Sequence, residues 1–174
     1  MTYYDDGTLV IRDMTQEDAH CITEEELAQG WHASVEKYLM RIGDHAQGRA
    51  IAMTAQYAGQ AAGYVSLYAH APSGPYAGTG IPEIVDLGVL EKYRGRGIGS
   101  RLLDAAEALA AQRGDRVCLG VGLHSGYGAA QRMYVRRGYV PDGSGVWYGD
   151  AVCEPYGPCV NDDDLVLYME KRLG

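Results

Sequence analysis

Ile84-Val85-Asp86-Leu87-Gly88-Val89-Leu90-Glu91-Lys92-Tyr93-Arg94-Gly95-Arg96-Gly97-Ile98-Gly99-Ser100 is the stretch on which the fold turns. It opens as a strongly apolar strand interrupted by Asp86 and Gly88, then enters a turn with glycines at 95, 97 and 99. A helix is expected from Ser100, because Leu102, Leu103, Ala106, Leu109 and Ala110 form one apolar stripe and Gly114 ends it. Glycine adopts positive φ without cost and lets the backbone lie close to a ligand. The free N–H groups at the start of the following helix converge on one spot, with the helix dipole behind them, which makes an anion site suited to a pyrophosphate. Arg94 and Arg96 add positive charge beside it.

Two common phosphate motifs fail here. A Walker A loop needs Gly-Lys-Ser/Thr, whereas Gly99 is followed by Ser100-Arg101. Read as a dinucleotide fingerprint from Gly95, the third glycine falls on Ser100, and the unit lies past mid-chain instead of opening a βαβ repeat.

Outward from this stretch, Thr8–Arg12 reads as a first strand and Thr15 as the N-cap of a helix running to about Ala28. Val35, Tyr38, Leu39 and Ile42 recur at helical spacing and predict a second helix over 35–42. Strands follow over 49–57 and 63–68, joined by a hairpin turn at Ala58-Gly59-Gln60. Residues 70–82 form a Gly- and Pro-rich loop. Beyond the central helix come a buried strand over 116–121, a Gly-rich bend, and a helix over about 129–137 stopped by Gly138. The tail predicts a strand near Tyr139, a hairpin around 146–148, a solvated acidic turn at Asp162-Asp163-Asp164 and a last strand over 165–169. Strands and helices do not alternate regularly, so the expectation is one mixed α/β domain over 1–174 and not a doubly wound nucleotide fold.

The net charge of −8 argues against nucleic acid, whose phosphates call for Lys and Arg, and suits a cationic acceptor. No window reaches the run of about eighteen apolar residues that a membrane span needs. The acidic, polar start is unlike a signal peptide, so the cytoplasm is the expected location. Cys118 lies in an apolar run and reads as a buried thiol. Cys153 and Cys159, in CEPYGPC, read as two separate thiols in a reducing compartment, with a disulfide as the alternative. No spacing of ligating residues suggests a metal.

Arg94-Gly95-Arg96-Gly97-Ile98-Gly99 resembles the signature of the GNAT superfamily of acyl-CoA-dependent N-acetyltransferases, Arg/Gln-x-x-Gly-x-Gly/Ala after a bulged strand. Leu87-x-Val89 before it and Leu102-Leu103 after it also sit where the family has them. Ala130-Gln131-Arg132-Met133-Tyr134, leading to Gly138-Tyr139, resembles the family's next block. One departure is Tyr127, which stands where many members have Asn. The resemblance implies a central, mostly antiparallel mixed sheet of six to seven strands with a splayed parallel pair, flanked by about four helices. It implies acetyl-CoA as co-substrate, with the backbone N–H groups of Arg96, Gly97, Ile98, Gly99 and Ser100 on its pyrophosphate. Arg94 and Gly95 complete that turn, and Leu87 and Val89 offer backbone groups to the pantetheine arm.

The resemblance also assigns roles. Tyr134 is the candidate acid for the departing thiolate. Glu83 and Asp86 compete as base, Glu83 preferred as matching a strand-start Glu of many members. Three apart on a strand, the two should face opposite sides. A base is required because a free alkylamine has a pKa of about 10.4 and must lose its proton to attack. His124 is a candidate relay, and His70, Tyr76, Trp31 and His32 are candidate acceptor-pocket residues by position. The expected activity is acetyl transfer to a primary amine by direct attack in a ternary complex. The acceptor is a small-molecule amine or a peptide, with a small cation favoured. The alternative is a catalytically silent acyl-CoA-binding module. Family members are often homodimers.

Overall fold

Short antiparallel strands and amphipathic helices account for most of the chain in the computed structural model, which describes residues 1–174. Backbone contacts group the chain into two units, Met1–Tyr68 with Val85–Leu109, and Ala69–Ile84 with Ala110–Gly174.

The first unit holds strands β1 (Thr2–Asp5), β2 (Leu9–Asp13), β3 (Ala50–Tyr57) and β4 (Gln60–Tyr68), and helices α1 (Gln16–Ala28) and α2 (Val35–Ala46). It also holds β5 (Glu83–Val89) from Val85 onward and nearly all of α3 (Ile98–Ala111). β1 to β4 form an antiparallel meander. The β3–β4 hairpin turns at Ala58 and Gly59, both at positive φ (49° and 79°), the pattern of a type I′ turn that suits the twist of paired strands. Thr15 caps α1 through a capping box. Its hydroxyl accepts from the Asp18 N–H, while the Asp18 carboxylate accepts from the Thr15 N–H. Arg12 clasps the same carboxylate at 2.7 and 2.9 Å.

The predicted stripe of α2 is the face that packs. Tyr38 is buried with Met14, Ala19, Ile22, Ala52 and Tyr64, and Val35, Leu39 and Ile42 close over them. The chain has 14 Tyr and no Phe, so its buried aromatics carry hydroxyls that need partners. Here the partner is Glu26 of α1, 2% exposed, whose carboxylate accepts from Tyr38 at 2.7 Å and from Tyr64. The two rings meet edge to face at 5.0 Å.

The second unit holds the start of β5, β6 (Arg116–Gly122), α4 (Gly128–Arg136), β7 (Val140–Tyr148), β8 (Ala151–Val152) and β9 (Leu165–Arg172). β5 and β6 pair in parallel at Glu83↔Cys118 and Ile84↔Leu119; β6–β9, β9–β7 and β7–β8 are antiparallel. Ala71, Tyr76, Ile81, Cys118 and Tyr168 form its core, with Trp147 against them.

The mixed α/β class, the mostly antiparallel sheet, the parallel pair and the four helices agree with expectation. Nine strands replace six or seven. Thr2–Asp5 forms an edge strand that pairs with β2, and Ala151–Val152 closes a hairpin on β7; neither has the alternating apolar run of a typical strand. No helix is long and apolar enough to cross a membrane.

Candidate active site

In the first unit, β5 leads through a 3-10 turn at Glu91–Tyr93 into Arg94 and the glycines. Gly95 and Gly97 both sit at φ 76°, where an L side chain is strained, although a Cβ at either would meet nothing within 4 Å. The glycines are therefore required by the backbone path and leave the turn's surface open. α3 begins at Ile98, two residues before the expected start, and Ile98 is buried at 1% exposure and anchors it. Gly99 and Ser100 thus lie in the first helical turn, whose N–H groups no helical carbonyl can reach. A helix start of this form offers free N–H groups that an anion could accept.

The arginines are held from the sides. Arg94 lies 5.3 Å over the Trp31 ring and 3.7 Å from Glu91. Arg96 lies 5.0 Å over the Tyr57 ring. The end of α1 is latched to the same segment: Gln29 Oε1 accepts the Glu91 N–H at 3.0 Å, and Lys92 pairs with Glu25 at 2.6 Å. Trp31, one of the positional candidates for the acceptor pocket, is thus engaged with Arg94 at the glycine turn.

Upstream, Leu87 and Val89 are half-buried on β5. Between them Gly88 admits the Tyr64 ring, which a Cβ would meet at 2.4 Å, and Gly63 of β4 faces the Gly88 carbonyl, which its Cβ would meet at 2.7 Å. Asp86 has φ 56°, left-handed in mid-strand. Alternation across a strand cannot be counted through such a residue, so the inference that Glu83 and Asp86 face opposite sides does not apply. The Asp86 carboxylate accepts from Arg41 Nε at 2.8 Å. Arg41 Nη1 donates to the Tyr68 hydroxyl, which donates to Asp44, itself paired with Arg49. The hydrogen bond from Tyr68 is the main cause holding the Asp44 carboxyl below its usual range. Sequence reasoning missed Arg41. Its signal was the polar row Lys37, Arg41, Asp44 running beside the apolar stripe of α2.

In the second unit, Glu83 is 6% exposed and lies opposite Cys118. Burial, and then the Glu83 charge, push the Cys118 thiol far up, so it stays protonated, and its Sγ donates to the Pro82 carbonyl at 3.4 Å. Cys118 is the buried thiol expected. Tyr134 projects from α4, 6% exposed, its ring edge-on to Tyr139 at 5.7 Å. Burial raises its phenol well above the ordinary value, so the hydroxyl keeps its proton.

His124 is committed at both nitrogens. Nδ1 accepts the Gly126 N–H at 3.0 Å, which makes Nε2 the donor to Asp163 at 2.9 Å. The Tyr127 hydroxyl also donates to Asp163 at 2.9 Å, and its ring occupies the space where a Gly122 Cβ would stand, 2.3 Å away. Tyr127, at the family's Asn position, is thus a packing and anchoring residue. The acidic turn is more than solvated: Asp163 is tied to the bend before α4, and Asp162 accepts from Tyr148. Tyr76, placed by position in the acceptor pocket, is instead buried edge-on to Tyr168. His70 and His32 are exposed.

The family model described as acetyltransferase (GNAT) family matches residues 11–139. No curated protein matches in sequence. Among solved structures, the chain is similar to the Salmonella typhimurium acetyltransferase that modifies the N-terminal serine of 50S ribosomal subunit protein L7/L12, with TM-score 0.71, 16% identity and 100% of both chains covered. It is also similar to yncA of Salmonella typhimurium, solved with its cofactor acetyl-CoA (TM-score 0.69, 16% identity, 97% of this chain and 95% of that one). A third is Ard1 from Thermoplasma volcanium (TM-score 0.68, 17% identity, 95% and 98%). At these identities the structural likeness is one of fold, whereas the family match spans most of the sequence: the chain belongs to the acetyltransferase (GNAT) family.

Proposed function

We propose that the protein transfers an acetyl group from acetyl-CoA to a primary amine by direct attack in a ternary complex. The observation that carries the reading is the pair of positive-φ glycines, Gly95 and Gly97, delivering the backbone to the open N-terminus of α3. The N–H groups of residues 96–100 hold the pyrophosphate, and Leu87 and Val89 lie along the pantetheine arm. Several similar structures are of acetyltransferases solved with acetyl-CoA or CoA, or acting on a ribosomal protein, which suits the same co-substrate here.

Glu83 serves as base. Its carboxylate is buried, and it accepts the proton that the acceptor ammonium must shed. Asp86 is the weaker candidate, because its carboxylate is already engaged by Arg41 Nε at 2.8 Å. Tyr134 serves as acid: a phenol that burial keeps protonated gives its proton to the sulfur as the tetrahedral adduct collapses. The acceptor is a cationic amine. Between Arg137 and Lys171 the chain carries seven carboxylates and no Lys, Arg or His, so nearly all of the net charge of −8 falls in one segment.

Calorimetric titration with acetyl-CoA, with ATP and NADH as controls, tests the co-substrate. Thiol release over a panel of amines and peptide N-termini then tests turnover. Tyr134→Phe should leave acetyl-CoA affinity unchanged and lower kcat roughly 10²-fold. Selective binding without turnover of any amine would favour a silent acyl-CoA-binding module. Failure to bind acetyl-CoA would overturn the proposal.

A further inference from the structure

Three residues other than glycine take positive φ. Ala58 and Tyr156 lie in turns, but Asp86, at 56°, lies inside a strand. Such a backbone costs free energy and persists only where its surroundings hold it. Its effect on β5 is geometric. The strand pairs with β6 at Glu83 and Ile84, before Asp86, and beyond it the Leu90 N–H donates to the Ala62 carbonyl of β4 at 2.9 Å. A left-handed residue between these points bends the strand and re-aims Leu87 and Val89. The family resemblance implies a bulged strand here, but not what holds it.

The holder is Arg41 of α2. Its Nε donates to the Asp86 carboxylate at 2.8 Å, with the two side chains only 16% and 24% exposed. The guanidinium is fixed from behind: Nη1 donates to the Tyr68 hydroxyl of β4, and Cζ lies 5.1 Å from the centre of that ring. Tyr68 in turn donates to Asp44, three residues along α2 and paired with Arg49. Lys37, one turn before Arg41, lies over the Tyr38 and Tyr64 rings at 4.5 and 5.4 Å, so Arg41 is the cation that meets Asp86. A part-buried ion pair adds little net stability compared with a well-packed apolar pair. What it supplies here is selection of one backbone shape, because its cationic half is anchored to α2 and β4.

We propose that Arg41 is a positioning residue for the transfer reaction: by gripping Asp86 from α2 it keeps β5 bent, and so keeps the backbone of Leu87 and Val89 presented to the acyl-carrying arm of acetyl-CoA. The proposal rests on the acetyl-CoA reading. It gives Arg41 no contact with either substrate.

Calorimetry with acetyl-CoA tests it through a cycle with glycine at position 86, urea unfolding showing that each variant is folded. Arg41→Met keeps the packing of the stem and removes the guanidinium. Without the grip, an ordinary extended Asp86 competes and only the bent fraction binds, so acetyl-CoA affinity should fall about five- to tenfold. Glycine takes positive φ freely, so in an Asp86→Gly background Arg41→Met should change the affinity by less than about twofold. Arg49→Gln, at the far end of the same network, should leave the affinity at the wild-type value. If Arg41→Met does not fold, Arg41→Lys takes its place: it keeps the charge but loses the fork that also reaches Tyr68, and should weaken binding about threefold, again only with aspartate at 86. Unchanged affinity in the Arg41 variant, or a fall of the same size with glycine at 86, overturns the proposal while leaving the acetyl-CoA reading intact. Wild-type protein that does not bind acetyl-CoA defeats that reading and this one with it.

Discussion

Replacing Gly88 with alanine probes the most crowded point of β5. The added methyl carbon would stand 2.4 to 2.9 Å from the Cζ, hydroxyl oxygen and Cε1 of Tyr64, where real Cβ atoms do not go. The ring cannot swing aside freely, because its hydroxyl is bonded to buried Glu26 and it packs edge to face with the Tyr38 ring. Overpacking of this kind costs about 1–3 kcal/mol. Dragging the hydroxyl off Glu26 leaves a buried carboxylate one donor short, a further cost of about 1.5–3 kcal/mol. We expect a total of about 3–5 kcal/mol, which for a chain of this size is a fall in Tm of roughly 8–15 °C. Urea and thermal unfolding followed by circular dichroism measure it, in wild type and in a Tyr64→Leu background that removes the ring. If the ring is the obstacle, Gly88→Ala should cost at least about 1 kcal/mol less in that background. Equal costs in both, or a wild-type cost below about 1 kcal/mol, would refute the reasoning.

Three further outcomes are expected. Burial, the leading cause, raises the phenols of Tyr38, Tyr64 and Tyr134 above their ordinary value of 10.0. The unfolded chain therefore releases protons first, so stability is full below about pH 10 and declines above it; a Tm that stays flat through about pH 11 would contradict this. Glu83→Gln should lower kcat at neutral pH by roughly 10²-fold, whereas Asp86→Asn should lower Tm by a few degrees and leave kcat within about fivefold; the reverse pattern would make Asp86 the base. Thr15→Ala removes the acceptor for the Asp18 N–H and should cost about 1 kcal/mol in denaturant unfolding.

The elements legible in the sequence are those with a strong period or a chemical punctuation mark. The stripe Val35, Tyr38, Leu39, Ile42 packs as read, Thr15 caps as read, and the turn at Gly95 and Gly97 has the positive φ that its glycines suggested. What was hidden depends on partners distant in sequence. Asp86 has an ordinary strand address, and only its left-handed backbone and Arg41, 45 residues away, separate it from Glu83. Glu26 reads as one acid among several in Glu24-Glu25-Glu26, and burial under two tyrosine hydroxyls is a tertiary fact. Tyr76 sits in a loop-like sequence yet packs into a core, because Tyr168 from the last strand comes to meet it.

The carboxylate shared by Tyr38 and Tyr64 has a mechanical consequence. It joins one helix, a second helix and a strand at a single point, so α1 cannot roll or slide against α2 or β4 without breaking charged hydrogen bonds in a dry interior. The helix pair behaves as one rigid block, fastened at its Glu25 and Gln29 end to the segment ahead of the glycine turn. Any give on this side of the first unit is left to the short connection from Gly30 to Ser34. There Gly30 sits at φ 83°, and a change of sequence would alter reach and shape without disturbing the block that carries it.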